Sequence, residues 1–173
     1  MTEIPRASGP AARAAPAPPG ESGADERWLR EAIELSRRCP PSASAFSVGA
    51  ILVSQSGDVI STGFSRELDP ADHAEEVALA RAADATRPAG TALASATIYS
   101  SLEPCCARAS RPRPCAELIV AAGIRRVVIA WLEPPIFVPG GGAAWLRSQG
   151  VTVIEVPEAA AGARAVNAHL LPP

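Results

Sequence analysis

Two short stretches constrain the fold of this chain more than any other part of its sequence. The first is His73-Ala74-Glu75, and the second runs from Pro104-Cys105-Cys106 to Cys115. Imidazole and thiolate groups are preferred zinc ligands, and a catalytic zinc ion commonly takes three protein ligands and leaves one tetrahedral position for water. The chain must therefore fold so that residues distant in sequence meet at one Zn²⁺ ion.

We predict that His73, Cys105 and Cys115 are the zinc ligands. Glu75 lies two residues after His73, close enough to reach a metal-bound water without coordinating the metal. A carboxylate in that position can accept a proton from the water and deliver it to a substrate. The sequence thus predicts Glu75 as the catalytic residue of a hydrolytic site.

The cysteines are open to more than one interpretation. Cys106 adjoins Cys105 and competes with Cys115 as a ligand, but we favour Cys115 because it opens a predicted helix, whose N-terminal partial charge stabilises a thiolate. The cysteines could also form a structural zinc site or a redox pair. A structural site normally has a fourth Cys or His ligand, and Cys39 and His169 are distant in sequence.

Length and charge narrow the class of partner. A chain of 173 residues is long enough for one domain with a buried core. Its net charge of -2 and its scattered arginines do not provide a basic surface that would neutralise a nucleic-acid phosphate backbone. We therefore expect a small-molecule substrate and no nucleic-acid partner. The sequence has no apolar run of membrane-spanning length and no secretory signal, so we expect no membrane association and a cytoplasmic location.

Hydrophobic periodicity predicts an α/β fold. We expect a three-layer α/β/α sandwich in which helices cover both faces of a central mixed five-stranded sheet. Asp25 is the predicted N-cap of the first helix, and Cys115 opens the helix that follows the arginine-rich loop. The predicted strands are 46–54, 59–64, 96–101, 124–131 and 151–156, and the predicted helices are 25–39, 73–85, 115–122 and 143–149.

The chain divides into three predicted segments. Residues 1–24 are rich in Pro and Ala and have too little large apolar surface to offset their ordering entropy, so we expect a disordered tail. Residues 25–156 form the catalytic domain, in which Arg87-Pro88-Ala89-Gly90 breaks the chain between a helix and a strand. Residues 157–173 form a C-terminal tail with helical composition.

Several motifs together resemble a known family over about residues 29–156. The chain resembles the zinc-dependent cytidine and deoxycytidylate deaminase superfamily, and more closely the pyrimidine deaminases of riboflavin biosynthesis, of the stand-alone fungal type. The long arginine- and proline-containing loop between its two cysteines is typical of that branch. The motifs are Ala45-Phe46-Ser47-Val48-Gly49-Ala50, Gly63-Phe64-Ser65-Arg66-Glu67-Leu68, His73-Ala74-Glu75-Glu76 and Leu102-Glu103-Pro104-Cys105.

The resemblance implies a cytidine deaminase-like fold and a hydrolytic reaction. The expected reaction is zinc-dependent deamination of an aminopyrimidine ribosyl or ribityl intermediate of riboflavin biosynthesis, with or without a phosphate, which releases ammonia. The competing hypotheses are a deaminase of another free base or nucleotide, a nucleic-acid base deaminase and a non-catalytic zinc module. The resemblance also implies a homodimer or a higher homo-oligomer, with the apolar strand at 127–131 as a candidate interface.

Seven further residues are candidates for substrate contacts, and each also has a simpler interpretation. An arginine-bearing loop is commonly solvated, neighbouring Arg and Glu residues commonly form surface pairs, and an apolar residue at the start of a strand commonly belongs to the core. Residues just past a strand end lie where open α/β sheets bind ligands, which also makes Glu133 a candidate. The seven are Phe46, Arg66, Glu67, Arg108, Arg111, Arg113 and Trp131.

Overall fold

One mixed sheet of five strands organises the structure. The computed structural model describes residues 21–86, 93–137 and 140–172. The strands are β1 (Gly49–Val53), β2 (Val59–Phe64), β3 (Thr97–Ser100), β4 (Arg126–Ile129) and β5 (Thr152–Glu155). Their order across the sheet is β2-β1-β3-β4-β5.

Strand direction follows from the connections. A tight turn at 54–58 joins β1 to β2, which are antiparallel, and β1 is also antiparallel to β3. β3, β4 and β5 are mutually parallel, and each connection between them contains a helix. Parallel neighbours need such a crossover. The prediction of a mixed five-stranded sheet is confirmed.

Helices cover both faces of the sheet. The helices are α1 (Glu21–Ser36), α2 (Ala74–Thr86), α3 (Cys115–Ala121), α4 (Gly142–Ser148) and α5 (Ala160–Val166). α1 and α5 share one buried apolar cluster with Val128, whereas α3 and α4 share the other cluster with Val127 and Ile129. α2 contributes residues to both clusters. Successive side chains of a strand point to opposite faces, so β4 contributes to both clusters. Within the described residues, no helix is long and apolar enough to cross a membrane.

The start of α1 differs from the prediction. The helix begins at Glu21, so Asp25 is not an N-cap, and residues 21–24, which we predicted as tail, are helical. Asp25 is instead buried and accepts hydrogen bonds from the Tyr99 hydroxyl (2.9 Å) and from Arg126 (2.7 Å). Burial and this contact raise the pKa of Tyr99 to about 12. The rest of the predicted tail, 1–20, and the predicted chain break at 87–90 lie outside the described residues.

The C-terminal segment packs on the domain. It forms α5 flanked by two short 3-10 turns, and α5 contacts α1. Asn167 is buried: its side-chain amide donates to the carbonyl oxygens of Ser47 (3.0 Å) and Ala163 (3.1 Å), and its carbonyl oxygen accepts from the Ser47 N–H (2.7 Å). The C-terminal segment thereby fixes the backbone beside Phe46.

Candidate active site

The three predicted ligands converge although they come from different parts of the chain. His73 immediately precedes α2, Cys105 follows β3, and Cys115 is the first residue of α3. The His73 Nδ1 atom lies 3.5 Å from the Cys105 Sγ atom and 3.5 Å from the Cys115 Sγ atom, and the three potential ligand atoms lie within 4.8 Å of one another. Both cysteines are buried, and His73 is half-buried.

This donor set fits a zinc ion. Zn–N and Zn–S bonds of about 2.0 and 2.3 Å at a tetrahedral angle place nitrogen and sulfur about 3.5 Å apart, which matches the spacing seen here. The Cys115 backbone N–H points at the Cys105 Sγ atom (3.4 Å). Hydrogen bonds from Cys115 and His73 lower the pKa of the Cys105 thiol, which favours the thiolate that a metal requires.

Glu75 lies beside the three candidate metal ligands but is not one of the clustered donors. It occupies the first turn of α2, is only 3% exposed, and accepts a hydrogen bond from the Ser100 hydroxyl (2.8 Å). Burial raises the pKa of Glu75, while the charge of His73 and the bond from Ser100 partly oppose that rise. A raised pKa makes a carboxyl hold a proton more readily, which suits a group that takes up a proton and passes it on.

A cavity of about 350 Å³ opens onto this cluster. His73, Glu75 and Cys105 contribute to its wall, together with the apolar side chains of Phe46 and Phe137. The two aromatic rings pack edge to face with their centroids 5.0 Å apart. Cavities that bind small molecules typically have volumes of about 300–1,000 Å³ and are mostly apolar with a few polar groups. The cavity is therefore sized for one small heterocycle.

The aromatic candidates differ in position. Phe46 lines the cavity, whereas Trp131 does not; its ring packs behind Phe46, with centroids 5.5 Å apart, and borders a second hollow instead. The Arg164 guanidinium lies 5.6 Å from the centroid of the Trp131 ring. Trp131 thus supports the cavity wall from behind.

Arg66 and Glu67 both make contacts within the protein. Arg66 lines the cavity, but its guanidinium donates to the carbonyl oxygens of Pro40 (2.8 Å) and Phe46 (2.9 Å) and to the Ser47 hydroxyl (3.0 Å). These bonds hold the segment 40–47 against the domain. Glu67 lies outside the cavity wall and forms an ion pair with Arg81 (2.9 Å).

The three arginines of the inter-cysteine loop occupy different environments. The Arg108 side chain lines the cavity, is 2% exposed, and donates to Glu76 (3.0 Å) and to the carbonyl oxygen of Ala71 (2.6 Å). Arg111 and Arg113 do not line the cavity. Arg111 forms ion pairs with Asp69 and Asp72, and Arg113 is half-exposed beside Glu117 on α3. The loop is thereby tied to the N-terminus of α2, directly beside His73.

Two features that sequence reasoning did not identify fix the cysteine loop. The buried carboxylate of Glu103 accepts hydrogen bonds from the backbone N–H groups of Glu133 (2.9 Å), Gly141 (3.2 Å) and Ala143 (2.7 Å). Gly142 packs so tightly that a β-carbon there would overlap the Pro104 carbonyl. The only sequence signal for Glu103 was its place within the Leu-Glu-Pro-Cys motif. Its role could not be predicted because the residues that donate hydrogen bonds to its carboxylate are remote in sequence.

Glu133 lines the same cavity from the loop after β4. Burial raises the pKa of its carboxyl to about 8, and the negative charges of Cys105, Glu75 and Glu103 add to the rise. The site therefore holds a second carboxyl with a raised pKa besides that of Glu75.

The fold and this site define a class of protein. An α/β domain that brings one imidazole, two thiols and a separate buried carboxyl to one cavity is typical of zinc-dependent hydrolases. A family model described as the cytidine and deoxycytidylate deaminase zinc-binding region matches residues 22–131. The chain belongs to this family, and its metal is zinc.

Curated relatives share this region. The chain is 39% identical over 130 residues to the diaminohydroxyphosphoribosylamino-pyrimidine deaminase of Schizosaccharomyces pombe, a match that covers 75% of this chain and 31% of that protein. It is 33% identical over 129 residues to the chloroplastic riboflavin biosynthesis protein PYRD of Arabidopsis thaliana, with 75% and 28% coverage. The chain thus spans about a third of the length of these relatives.

Solved structures have the same fold. The bifunctional diaminohydroxyphosphoribosylaminopyrimidine deaminase/5-amino-6-(5-phosphoribosylamino)uracil reductase of Thermotoga maritima superposes with a TM-score of 0.68 at 32% identity, covering 84% of this chain and 40% of that one. The Rib2 deaminase of Aspergillus oryzae, a C-terminal deletion mutant, superposes with a TM-score of 0.63 at 27% identity, covering 83% and 97%. The predicted cytidine deaminase-like fold is confirmed.

Proposed function

We propose that this chain hydrolytically deaminates an aminopyrimidine that carries a ribosyl or ribityl chain, with or without a phosphate, and releases ammonia in riboflavin biosynthesis. The observation that carries the proposal is the buried Glu75 carboxyl, held by Ser100 beside the His73, Cys105 and Cys115 cluster at one cavity. The names of two relatives, a diaminohydroxyphosphoribosylamino-pyrimidine deaminase and a riboflavin biosynthesis protein, support the substrate class.

His73, Cys105 and Cys115 would hold the zinc ion. When bound, Zn²⁺ supplies a Lewis acid that activates water near neutral pH. Glu75 accepts a proton from the attacking water and delivers it to a ring nitrogen, which makes the amino-bearing carbon electrophilic. Glu75 then takes up the remaining proton from the hydroxyl added to the ring carbon and transfers it to the departing amine, so that the C–N bond breaks and the aminopyrimidine and water become the oxo compound and ammonia. The Ser100 hydroxyl orients the Glu75 carboxylate throughout.

Cavity-lining residues from the sequence candidates supply the proposed substrate contacts. Phe46 contacts the pyrimidine ring and excludes water, since its ring forms part of the cavity wall. Arg66 and Arg108 face the same space with guanidinium groups that already bond to the protein, so they shape the mouth of the cavity. Glu67, Arg111, Arg113 and Trp131 lie outside the cavity wall, so they are not among the proposed substrate contacts.

We further propose a homodimer in the cytoplasm. Three apolar side chains on the loop after β4 are exposed, namely Leu132, Ile136 and Phe137, and Phe137 also lines the cavity. Apolar surface gathered beside a functional cavity is typical of an interaction site. All four cysteines are free thiols, which suits a reducing compartment.

The substitution Glu75→Gln tests the reaction. Gln keeps the shape of the side chain and leaves the three metal ligands in place, so zinc content and thermal unfolding should match the wild type. Ammonia release should fall by at least about 10²-fold, because a general acid–base group usually contributes about 10² to 10⁴ in rate. Retention of more than about a tenth of the wild-type kcat would contradict the mechanism, since it leaves less than about 1.4 kcal/mol for this group. Glu31→Gln, at an exposed position on α1, is the matched control and should keep full activity.

A pair of cysteine substitutions tests the ligand assignment. Cys115→Ala should lose most of the bound zinc, whereas Cys106→Ala should keep one equivalent per chain, because only Cys115 clusters with His73 and Cys105. Metal analysis after gel filtration measures both. Undiminished zinc in Cys115→Ala together with loss in Cys106→Ala would reverse the assignment.

A further inference from the structure

One wall of the cavity is built by a segment that is neither helix nor strand. α1 ends at Ser36 and β1 begins at Gly49, and residues 40–47 between them form this wall segment. Its residues Ser44, Ala45 and Phe46 line the cavity. Buried backbone polar groups that lie outside a helix or a sheet need other hydrogen-bond partners. Side chains from elsewhere in the chain therefore set the position of the wall segment.

Arg66 is the first of these side chains. Its guanidinium donates to the carbonyl oxygens of Pro40 and Phe46 and to the hydroxyl of Ser47. The Arg66 backbone has a φ of 60°, in the left-handed region that residues with a side chain rarely adopt. A strained backbone persists only where surrounding contacts hold it, and such positions cluster at functional sites.

Asn167 is the second, and it belongs to the C-terminal segment. It is 2% exposed, and its amide makes three hydrogen bonds. The Oδ1 atom accepts from the Ser47 N–H (2.7 Å), and the Nδ2 atom donates to the carbonyl oxygens of Ser47 (3.0 Å) and Ala163 (3.1 Å). Asn167 thus supplies to Ser47 the two partners that a neighbouring strand supplies within a sheet. A side chain without polar atoms at 167 would take both partners away from the buried Ser47 backbone.

The backbone of Ser47 determines where the ring of the adjacent Phe46 lies. That ring packs edge to face on Trp131 and on Phe137, with centroids 5.5 and 5.0 Å away. Protein interiors are closely packed, so a small shift of the Ser47 backbone displaces the ring and is not absorbed locally. The hydrogen bonds of Asn167 therefore act on the shape of the cavity wall.

The reactive groups of the site do not depend on these bonds. The candidate zinc ligands and Glu75 lie on α2, α3 and the loop after β3. Within the described part of the chain, none of the hydrogen bonds of Asn167 reaches them. Loss of the Asn167 amide should therefore disturb the apolar wall and leave the metal cluster in place.

We propose that Asn167 is a positioning residue of the active site: by bonding both backbone polar groups of Ser47, it fixes the Phe46 ring where the pyrimidine binds. This inference rests on the proposed function and adds to it a role for the C-terminal segment. That segment lies outside residues 22–131, which the family model matches. Asn167 thereby affects substrate affinity and not proton transfer.

Steady-state kinetics of the zinc-loaded full chain test the proposal. The compound used is the diaminohydroxyphosphoribosylamino-pyrimidine named for the Schizosaccharomyces pombe relative. The variants are Asn167→Ala, Phe46→Leu and the double variant. Leu170→Ala is the matched control, because Leu170 packs against the same apolar cluster through a side chain that cannot hydrogen-bond to Ser47. If Asn167→Ala does not fold, Asn167→Asp replaces it, since Asp keeps the shape and an acceptor but has no amide donors.

The expected result is a change in KM with little change in kcat. Asn167→Ala should raise KM at least about tenfold and change kcat less than about threefold, because a displaced wall weakens binding and not the chemical step. In Phe46→Leu protein the same substitution should raise KM less than about threefold, since two residues that act through one contact are not additive. Leu170→Ala should lower thermal stability but change KM less than about twofold. Zinc content should match the wild type in every variant.

Three results would overturn the inference. They are an unchanged KM in Asn167→Ala, a rise in KM of the same size in Leu170→Ala, and additive effects of Asn167→Ala and Phe46→Leu. The first two would show that the Asn167 amide only stabilises the fold, and the third that it does not act through Phe46.

Amide hydrogen exchange separates this inference from the proposed function, because it needs no substrate. Asn167→Ala should speed exchange in residues 40–48 at least about tenfold, whereas Leu170→Ala should not. If the wild type releases no ammonia from the compound, the proposed function fails. Faster exchange in 40–48 of Asn167→Ala then still supports the assignment of Asn167, and unchanged exchange overturns it. Ammonia release by the wild type with unchanged KM and exchange in Asn167→Ala leaves the reaction intact and removes the inference.

Discussion

Burial changes the pKa of a single carboxyl group, as Glu133 shows. For Glu133 the pKa is about 8 in the folded chain against an ordinary value of 4.5. The folded state therefore binds more protons than the unfolded state between these values, so stability falls as pH rises through this window. We expect Glu133→Gln to gain stability relative to wild type as the pH increases from about 5 to about 9. Urea unfolding of chelator-treated protein at several pH values measures this, and a difference that does not vary with pH would contradict it.

At this scale the sequence predicted which candidate residues meet at the cavity better than it predicted the residues that support them. His73, Glu75 and Cys105 could be singled out because each belongs to a short local pattern with unusual side chains. Glu103 and Asn167 were not found, because their partners come from segments far along the chain. The roles of the charged candidates were not predictable for the same reason. The sequence shows that an arginine is present, but only the fold shows that Arg66 and Arg108 already donate hydrogen bonds within the protein.

Gly142 connects two elements, α4 and the cysteine loop. A β-carbon at this position would overlap the Pro104 carbonyl, next to the candidate zinc ligand Cys105. Gly142→Ala should therefore lower the free energy of unfolding by about 1–3 kcal/mol, the usual cost of overpacking, although Ala favours helix. It should also weaken zinc binding by displacing the loop. Denaturant unfolding and competition with a chelator measure the two effects.

A matched glycine separates packing from helix propensity. Gly23 lies in α1 and is exposed, and a β-carbon added there would have no neighbouring atom within 4 Å. Gly23→Ala should leave zinc binding unchanged and raise stability slightly, by up to about 1 kcal/mol. If Gly142→Ala behaves like Gly23→Ala, then the contact with Pro104 does not hold the loop.

Element positions were predictable where periodicity and turn residues agree. The five strands and the helices α2, α3 and α4 lie within the predicted segments or differ from them by a few residues, because their apolar stretches end at Gly, Pro or Ser-Gly-Asp. The first turn of α1 was missed because Glu21-Ser22-Gly23-Ala24 has the composition of a tail. Its helical state depends on the packing of α1 against the sheet, which local composition does not report.

The arrangement of the whole molecule shows whether the strand at 127–131 could form the predicted interface. The apolar strand suggested by the sequence is not available for one, because Val127, Val128 and Ile129 in β4 are fully buried between helices inside the sheet. A continuous apolar run in a sequence is compatible both with a subunit interface and with a central parallel strand. Because β4 lies between β3 and β5, its apolar residues belong to a central strand and not to an interface. Three exposed apolar residues instead lie together on the loop that follows β4.

That loop gives the last prediction. Leu132, Ile136 and Phe137 are 46%, 41% and 39% exposed, and their contact with a second copy would cover apolar surface beside the cavity. We expect sedimentation at micromolar concentration to give a dimer and Ile136→Glu to shift it toward monomer, because a buried unpaired carboxylate opposes association. Leu68→Glu, at an 80% exposed position outside this loop, is the control and should remain dimeric. A wild-type monomer at that concentration would contradict self-association. A dimer unaffected by Ile136→Glu would show that the interface does not involve this loop.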